Sequence, residues 1–319
     1  MGYLFLAIAL FCGLTKGYCG KKTSGYVEGF SDAMLTNTIR MALCIVIGVI
    51  MIISAGDMAF MIPDAEVLLI SALSGITTAI FVVTWMVSVK TGAYMMVNVF
   101  LMLGVLVPVI LGICVFGETT TANQWIGMAV LLVAVIIMCS YNNSIKTKIT
   151  PFALFLVTLS GVSNGLTGFS QKLFTKNCED IPASVFNLYT YIFAAVVLVI
   201  FYFIFKAREK NTGREEKFEI KKIFGYVAVM ALCLFMNSYF STLAAVHLDS
   251  AILYPLSQGG SMILSTFMSA IFFKEKITAK CALGVTIAFV GLIIINVLHP
   301  FRITKAIGHF TLVPILCRK

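Results

Sequence analysis

GICVFGETTTANQWIGMAVLLVAVIIMCS, residues 112–140, lies over SAIFFKEKITAKCALGVTIAFVGLIIINV, residues 269–297, at a constant offset of 157. Phe116, Glu118, Thr121 and Gly127 then fall on Phe273, Glu275, Thr278 and Gly284. Each tract reads as a helix end, an acid, a short polar turn and a long apolar run containing a glycine. A bilayer core roughly 30 Å thick asks for about 20 helical residues at about 1.5 Å each, which is the length of these runs. Their hydrophobicity is continuous, without the alternation of a lipid-facing barrel strand, and a helix satisfies its own backbone groups in lipid.

Outward from these tracts the same kind of run recurs. Spans are expected near 2–20, 33–54, 66–88, 92–115, 122–140, 152–172, 183–205, 223–246, 250–272 and 278–297. Composition agrees: 60% of the residues are hydrophobic and 12% charged, far more apolar than a water-solvated shell permits. The fold class expected is an all-α integral membrane protein of ten transmembrane helices. The first span has no Lys or Arg ahead of it and no convincing cleavage site behind it, so it reads as a helix and not as a secretory signal.

Because each half then holds five helices, an odd number, the second copy crosses the membrane in the opposite sense to the first. The expected organisation is two inverted five-helix repeats, 1–145 and 146–298, with a C-terminal tail at 299–319. Toward the N-terminus the match is carried at an offset of 150, with Lys22 over Lys172 and Asn37 over Asn187. Inverted repeats are frequent in secondary transporters, which hold a substrate between the halves and alternate its access. Helices 1 to 4 and 6 to 9 are expected around a central cavity, with 5 and 10 peripheral.

Charge gives an orientation. Segments after helices 1, 3, 5, 7 and 9 hold Lys16, Lys21, Lys22, Lys90, Lys146, Lys148, the basic residues of KAREKNTGREEKFEIKK (206–222), Lys274, Lys276 and Lys280. The other side holds only Lys172, Lys176, Arg302, Lys305, Arg318 and Lys319. Positive residues favour the cytoplasmic side, which puts the 206–222 segment inside and both termini outside. The +9 net charge is therefore a topology signal before it is a nucleic-acid signal, and no nucleic-acid partner is expected.

The paired tracts FGETTTANQWIGMAVLLVAVIIM and FFKEKITAKCALGVTIAFVGLIII, with GVSNGLTGFSQKLF at 161–174 and Arg40 in helix 2, resemble the EamA-type branch of the drug/metabolite transporter superfamily. The resemblance runs to about residue 298. It implies a five-plus-five transporter that moves small metabolites, often outward and without ATP, in the cell membrane. Pro108 and Pro255 do not superpose at the offset of 157, so the helix 4 and 9 prolines common in that branch lack their symmetric placement here.

Chemistry-bearing residues are few. Arg40 lies in TNTIRMALCIVIGVI, where a cation costs several kcal/mol unless it meets water, an acid or carbonyls. It either faces a substrate site or snorkels to the interface. Lys22 and Lys172 face a cavity or snorkel from the ends of helices 1 and 6. Asn37, Asn187, Trp85 and Tyr254 stand out from a wider polar set that includes Asn98, Asn164, Gln171, Asn237 and Gln258. An intramembrane amide needs a partner, either another helix or a wet path. The substrate-binding candidates are thus Arg40, Lys22, Lys172, Asn37, Asn187, Trp85 and Tyr254. Glu118 and Glu275 read as turn anchors facing free amides, with Thr121 and Thr278 as capping oxygens.

Other classes lose ground. No glycine-rich phosphate loop is present, so a self-contained P-loop pump is excluded. No acid occupies the middle of helix 1, which argues against cation export through a buried carboxylate. His247, His299 and His309 form no catalytic or metal-ligating constellation, and nine scattered cysteines without a CxxC pair read as packing residues. No cofactor or metal is expected. The reading is a secondary transporter, acting in export, of a small polar metabolite: an amino acid, a nucleotide-like compound or another anionic or zwitterionic solute. Its partners are that small molecule, the lipid bilayer and a coupling ion left unspecified. A membrane-embedded enzyme acting on lipid, or a non-transporting assembly or receptor protein, are the alternatives.

Overall fold

The computed structural model describes residues 1–91, 97–98, 101–139, 151–211, 220–274 and 278–297. Among them are ten α-helices. They are α1 (Gly2–Ser24), α2 (Phe30–Ala55), α3 (Ala65–Thr91), α4 (Leu106–Phe116), α5 (Ala122–Cys139), α6 (Pro151–Asn177), α7 (Ala183–Asn211), α8 (Ile220–His247), α9 (Ser250–Phe272) and α10 (Ala279–Val297). Short 3-10 turns cover Asp57–Met61, after α2, and Met102–Val105, leading into α4. Six helices are long and apolar enough to cross a membrane: α1, α2, α3, α6, α7 and α8. Apolar stretches in α4, α5 and α10 are shorter. α9 has the length but carries Ser257, Gln258, Ser261 and Ser265 on the face it turns to a cavity, which dilutes its hydrophobicity.

Several helices run further than hydropathy alone indicates. α1 continues through Gly20, Lys21 and Lys22 to Ser24, so Lys16 lies well inside a helix and not in a loop. α6 extends to Asn177, which sets Lys172 more than a turn back from the helix end. At 206–222, expected to be a solvated loop throughout, α7 occupies positions up to Asn211 and α8 begins at Ile220. Helices overrun the hydrocarbon because charged side chains at their ends extend to water. The C-terminal tail 299–319, Tyr94, Glu275, His299 and His309 fall outside the described residues.

Packing joins one half of the chain to the other. α1 lies on α8, α3 on α6, α2 on α7 and α5 on α10, while α3 also meets α7 and α2 meets α8. Glycine permits the tightest crossings. A Cβ on Gly104 would strike the carbonyl of Gly161, and one on Gly165 would strike that of Gly104, so the 3-10 turn before α4 rides directly on the backbone of α6. Such small-residue seams are how helices associate where no hydrophobic drive is available. Four apolar clusters result among the described residues, two of them large. One includes Met41, Trp85, Met86, Tyr191 and Phe235. The other includes Met102, Met128, Leu131, Tyr254 and Leu292. Pro108 is tolerated in the first turn of α4, whereas Pro255 is inside α9 and removes one ladder hydrogen bond there.

A buried ion pair fixes one end of the bundle. α4 stops at Phe116, and Gly117 takes a left-handed conformation (φ 62°) whose N–H returns to the Ile113 carbonyl. The chain reverses, and Glu118 Oε2 accepts the backbone N–H of Ser250, the first residue of α9, at 2.9 Å. Its Oε1 is 3.5 Å from Lys172 Nζ, with the two side chains 8% and 2% exposed. Lys172 Nζ donates in turn to the carbonyls of Ala245 and Leu248 at the end of α8, at 2.9 and 2.6 Å. A carboxylate at a helix N-terminus and an ammonium at a helix C-terminus are each favoured by the helix dipoles. Thr121 caps α5: its Oγ1 accepts the Gln124 N–H at 3.3 Å, while Gln124 Oε1 accepts the Thr121 N–H at 2.8 Å.

Candidate functional site

A cavity of about 170 Å³ lies within the bundle, lined by residues of α1 to α4 and α6 to α9. Among the described residues, α5 and α10 contribute nothing to its wall.

Arg40 reaches it from α2. It is 2% exposed, and its Nε is buried without a hydrogen-bond partner among the described residues. Lys16 lines the cavity from α1 and donates to Asn237 Oδ1 of α8 at a long 3.5 Å. Both cations line the same cavity. Asn237 is held by its own Nδ2, which donates to the Ala9 carbonyl at 2.7 Å.

Aromatic and amide groups form the rest of the wall. Trp85 projects from α3 against Gly20 of α1, where a Cβ would come within 2.7 Å of the indole. Tyr254 of α9 lies across Gly168 of α6 and donates its hydroxyl to the Gly168 carbonyl at 2.5 Å. Tyr191 of α7 donates to the Leu234 carbonyl at 3.2 Å. Gln171 Nε2 donates to Ser238 Oγ at 3.1 Å, and that hydroxyl donates to Asn187 Oδ1 at 2.5 Å. A polar chain therefore runs from the cavity wall through α8 into α7.

Of the residues singled out in the sequence, Arg40, Trp85 and Tyr254 line the cavity. The other four do not. Lys22 is exposed near the end of α1, its Nζ 5.9 Å from the ring centres of both Tyr18 and Phe273. Lys172 is committed to Glu118 and to the end of α8. Asn37 is fully buried and donates Nδ2 to the Ala33 carbonyl at 2.7 Å. Asn187 makes the equivalent bond to the Ala183 carbonyl at 2.8 Å, and reaches the wall only through Ser238. Asn98, Asn164, Gln171, Asn237 and Gln258 of the wider polar set do line the cavity. Lys16 is the residue the sequence reading assigned to a loop. The signal for it was the helix length: a run continued to Ser24 places Lys16 two turns inside.

No group of three or more His, Cys, Asp or Glu side chains able to hold a metal ion occurs among the described residues. No Asp or Glu lies among the lining residues.

No curated protein matches this sequence. A crystal structure of a protein with 14% sequence identity superposes with a TM-score of 0.68, covering 92% of this chain and 96% of that one, a likeness of fold alone. Residues 151–297 of this chain match the EamA-like transporter family.

Proposed function

We propose that this protein is a secondary transporter that exports a small polar metabolite, an amino acid or another anionic or zwitterionic compound, by alternating access to the central cavity. The observation that carries this reading is the cavity itself, built from eight helices drawn from both halves and holding the buried, partnerless Nε of Arg40. A buried cation of that kind costs several kcal/mol and is retained where a solute or water meets it.

The ten helices are read as spans in two inverted units, 1–145 and 146–298. Support comes from the packing. Exchanging each helix with the one five later turns the α1–α8 pair into α6–α3 and α3–α7 into α8–α2, and leaves α2–α7 and α5–α10 unchanged. Asn37 and Asn187, 150 residues apart, make the same bond to the carbonyl four residues back. Halves related in this way have two similar packings, which could open a shared site to one face and then the other. Arg40, Trp85, Tyr254 and Lys16 act in the substrate site. Lys172, Asn187 and Asn37 act behind it, and Lys22 lies apart from it at the exposed end of α1. The 206–222 side is read as cytoplasmic; removing Lys16, Lys21 and Lys22, which lie within α1, leaves the charge bias in the same direction.

Purified protein in proteoliposomes loaded with a metabolite extract is expected to exchange a restricted set of small polar solutes without ATP. Protein that exchanges no solute beyond empty liposomes, yet alters lipid composition, would replace this reading with the enzymatic one.

A further inference from the structure

The charge of the cavity is more specific than its polarity. Two cations enter it, Lys16 and Arg40, while no carboxylate lines it among the described residues. The carboxylate of Glu118, which could have neutralised a lysine, is turned away to Lys172 and the start of α9. What Lys16 meets is a neutral amide oxygen at the limit of hydrogen bonding. Buried charges are retained when paired, and among the described residues neither cation has a carboxylate beside it in the cavity, which a ligand's negative charge would supply.

A zwitterion supplies it poorly. Its ammonium would need an acid or a set of free carbonyls, and it would stand beside two cations lining the same space. The remaining wall favours oxygen-rich ligands instead. The hydroxyls of Ser241, Ser257 and Ser261 and the carboxamide of Gln258 face the space, all able to donate to carboxylate or phosphoryl oxygens. A guanidinium presents a planar fork to two such oxygens, and an ammonium offers a point charge with three donors. Size sets the upper limit. A cavity of about 170 Å³ suits a compact solute such as a four-carbon diacid or a phosphoryl group.

Resting on the transporter reading above, we propose that the cavity is a site for a compact dianion, an oxyanion compound whose two negative charges pair with Lys16 and Arg40. Carboxylate and phosphoryl compounds share this chemistry, and the binding experiment separates them.

The full-length protein, purified in detergent, is titrated with succinate, inorganic phosphate, alanine and putrescine while its thermal unfolding midpoint is followed. Succinate or phosphate should raise the midpoint by several degrees at concentrations where alanine and putrescine leave it unchanged, and the stronger of the two names the preferred head group. Lys16→Gln and Arg40→Gln should each weaken that response at least ten-fold in ligand concentration, with Arg40→Lys restoring part of it. Gln258→Glu, which adds a negative charge to the wall with little change of shape, should weaken it similarly in a protein that still folds. An alanine response equal to that of succinate and phosphate would overturn the proposal. So would a full dianion response in both Lys16→Gln and Arg40→Gln, or no response to either anion. Proteoliposome exchange keeps the two readings apart. A dianion response without exchange of any solute supports the site and removes the transporter. Exchange of zwitterions with no anion response removes the site alone.

Discussion

Arg40 and Lys172 are both buried cations, and the contrast between them separates function from architecture. Lys172 has an acid and two carbonyls around its ammonium, whereas the Nε of Arg40 has no partner among the described residues. Arg40→Ala is therefore expected to abolish solute exchange in proteoliposomes while the thermal midpoint of the free protein stays level or rises, because an uncompensated charge is removed. A fall of several degrees would make Arg40 a structural residue. Gly104→Val should act in the opposite way. Its side chain meets the Gly161 backbone, which cannot yield as a flexible side chain would, so the yield of folded, monodisperse protein should drop sharply. At this scale the sequence was readable for Arg40, Trp85 and Tyr254, since each is a polar or amphipathic group in an apolar run. It was not readable for Lys22 and Lys172. Both are lysines near helix ends, and only the third dimension tells that one faces Tyr18 and Phe273 and the other a neighbouring helix terminus.

Among the elements, the α8–α9 corner is the most tightly specified. α8 ends on an ammonium and α9 begins on a carboxylate, and the two charges are themselves paired. Glu118→Gln or Lys172→Met alone leaves one buried charge uncompensated and is expected to cost about 3–5 kcal/mol. Their combination should cost clearly less than the sum, the difference being measurable in a double-mutant cycle by detergent denaturation. Additive losses would mean that the two side chains act independently. Glu118 was legible in the sequence as an anchor for a helix start, but the helix it anchors is α9 and not the adjacent α5. The reason is Gly117, whose left-handed turn sends the following side chain back across the bundle. Among the described residues helix existence was legible from hydropathy, save that a 3-10 turn occupies Met102–Val105 within the span expected at 92–115. Helix ends were not, because α1, α6 and α7 continue past the apolar stretch on charged residues that hydropathy counts as loop.

The whole molecule is organised by pairings that cross between its halves, with the cavity where α1 to α4 meet α6 to α9. The sequence carried a cue to these cross-half pairings in the tract repeated at 157 residues. The identity of the lining was legible only in part, since hydropathy ranks residues by depth and not by the direction in which they point. Charge gives the expected orientation. A cysteine at Asn211, in a protein stripped of its other cysteines, should resist an impermeant thiol reagent applied to intact cells and react once the membrane is opened. Alternating access is the central claim, and accessibility tests it most directly. Ser241 lines the cavity from α8, and Ser241→Cys changes little in size. In sealed vesicles of each orientation, carrying this single cysteine, an impermeant thiol reagent should modify it from either face, more slowly when a transported solute is present. Modification from one face alone, whatever solute is supplied, would contradict the account.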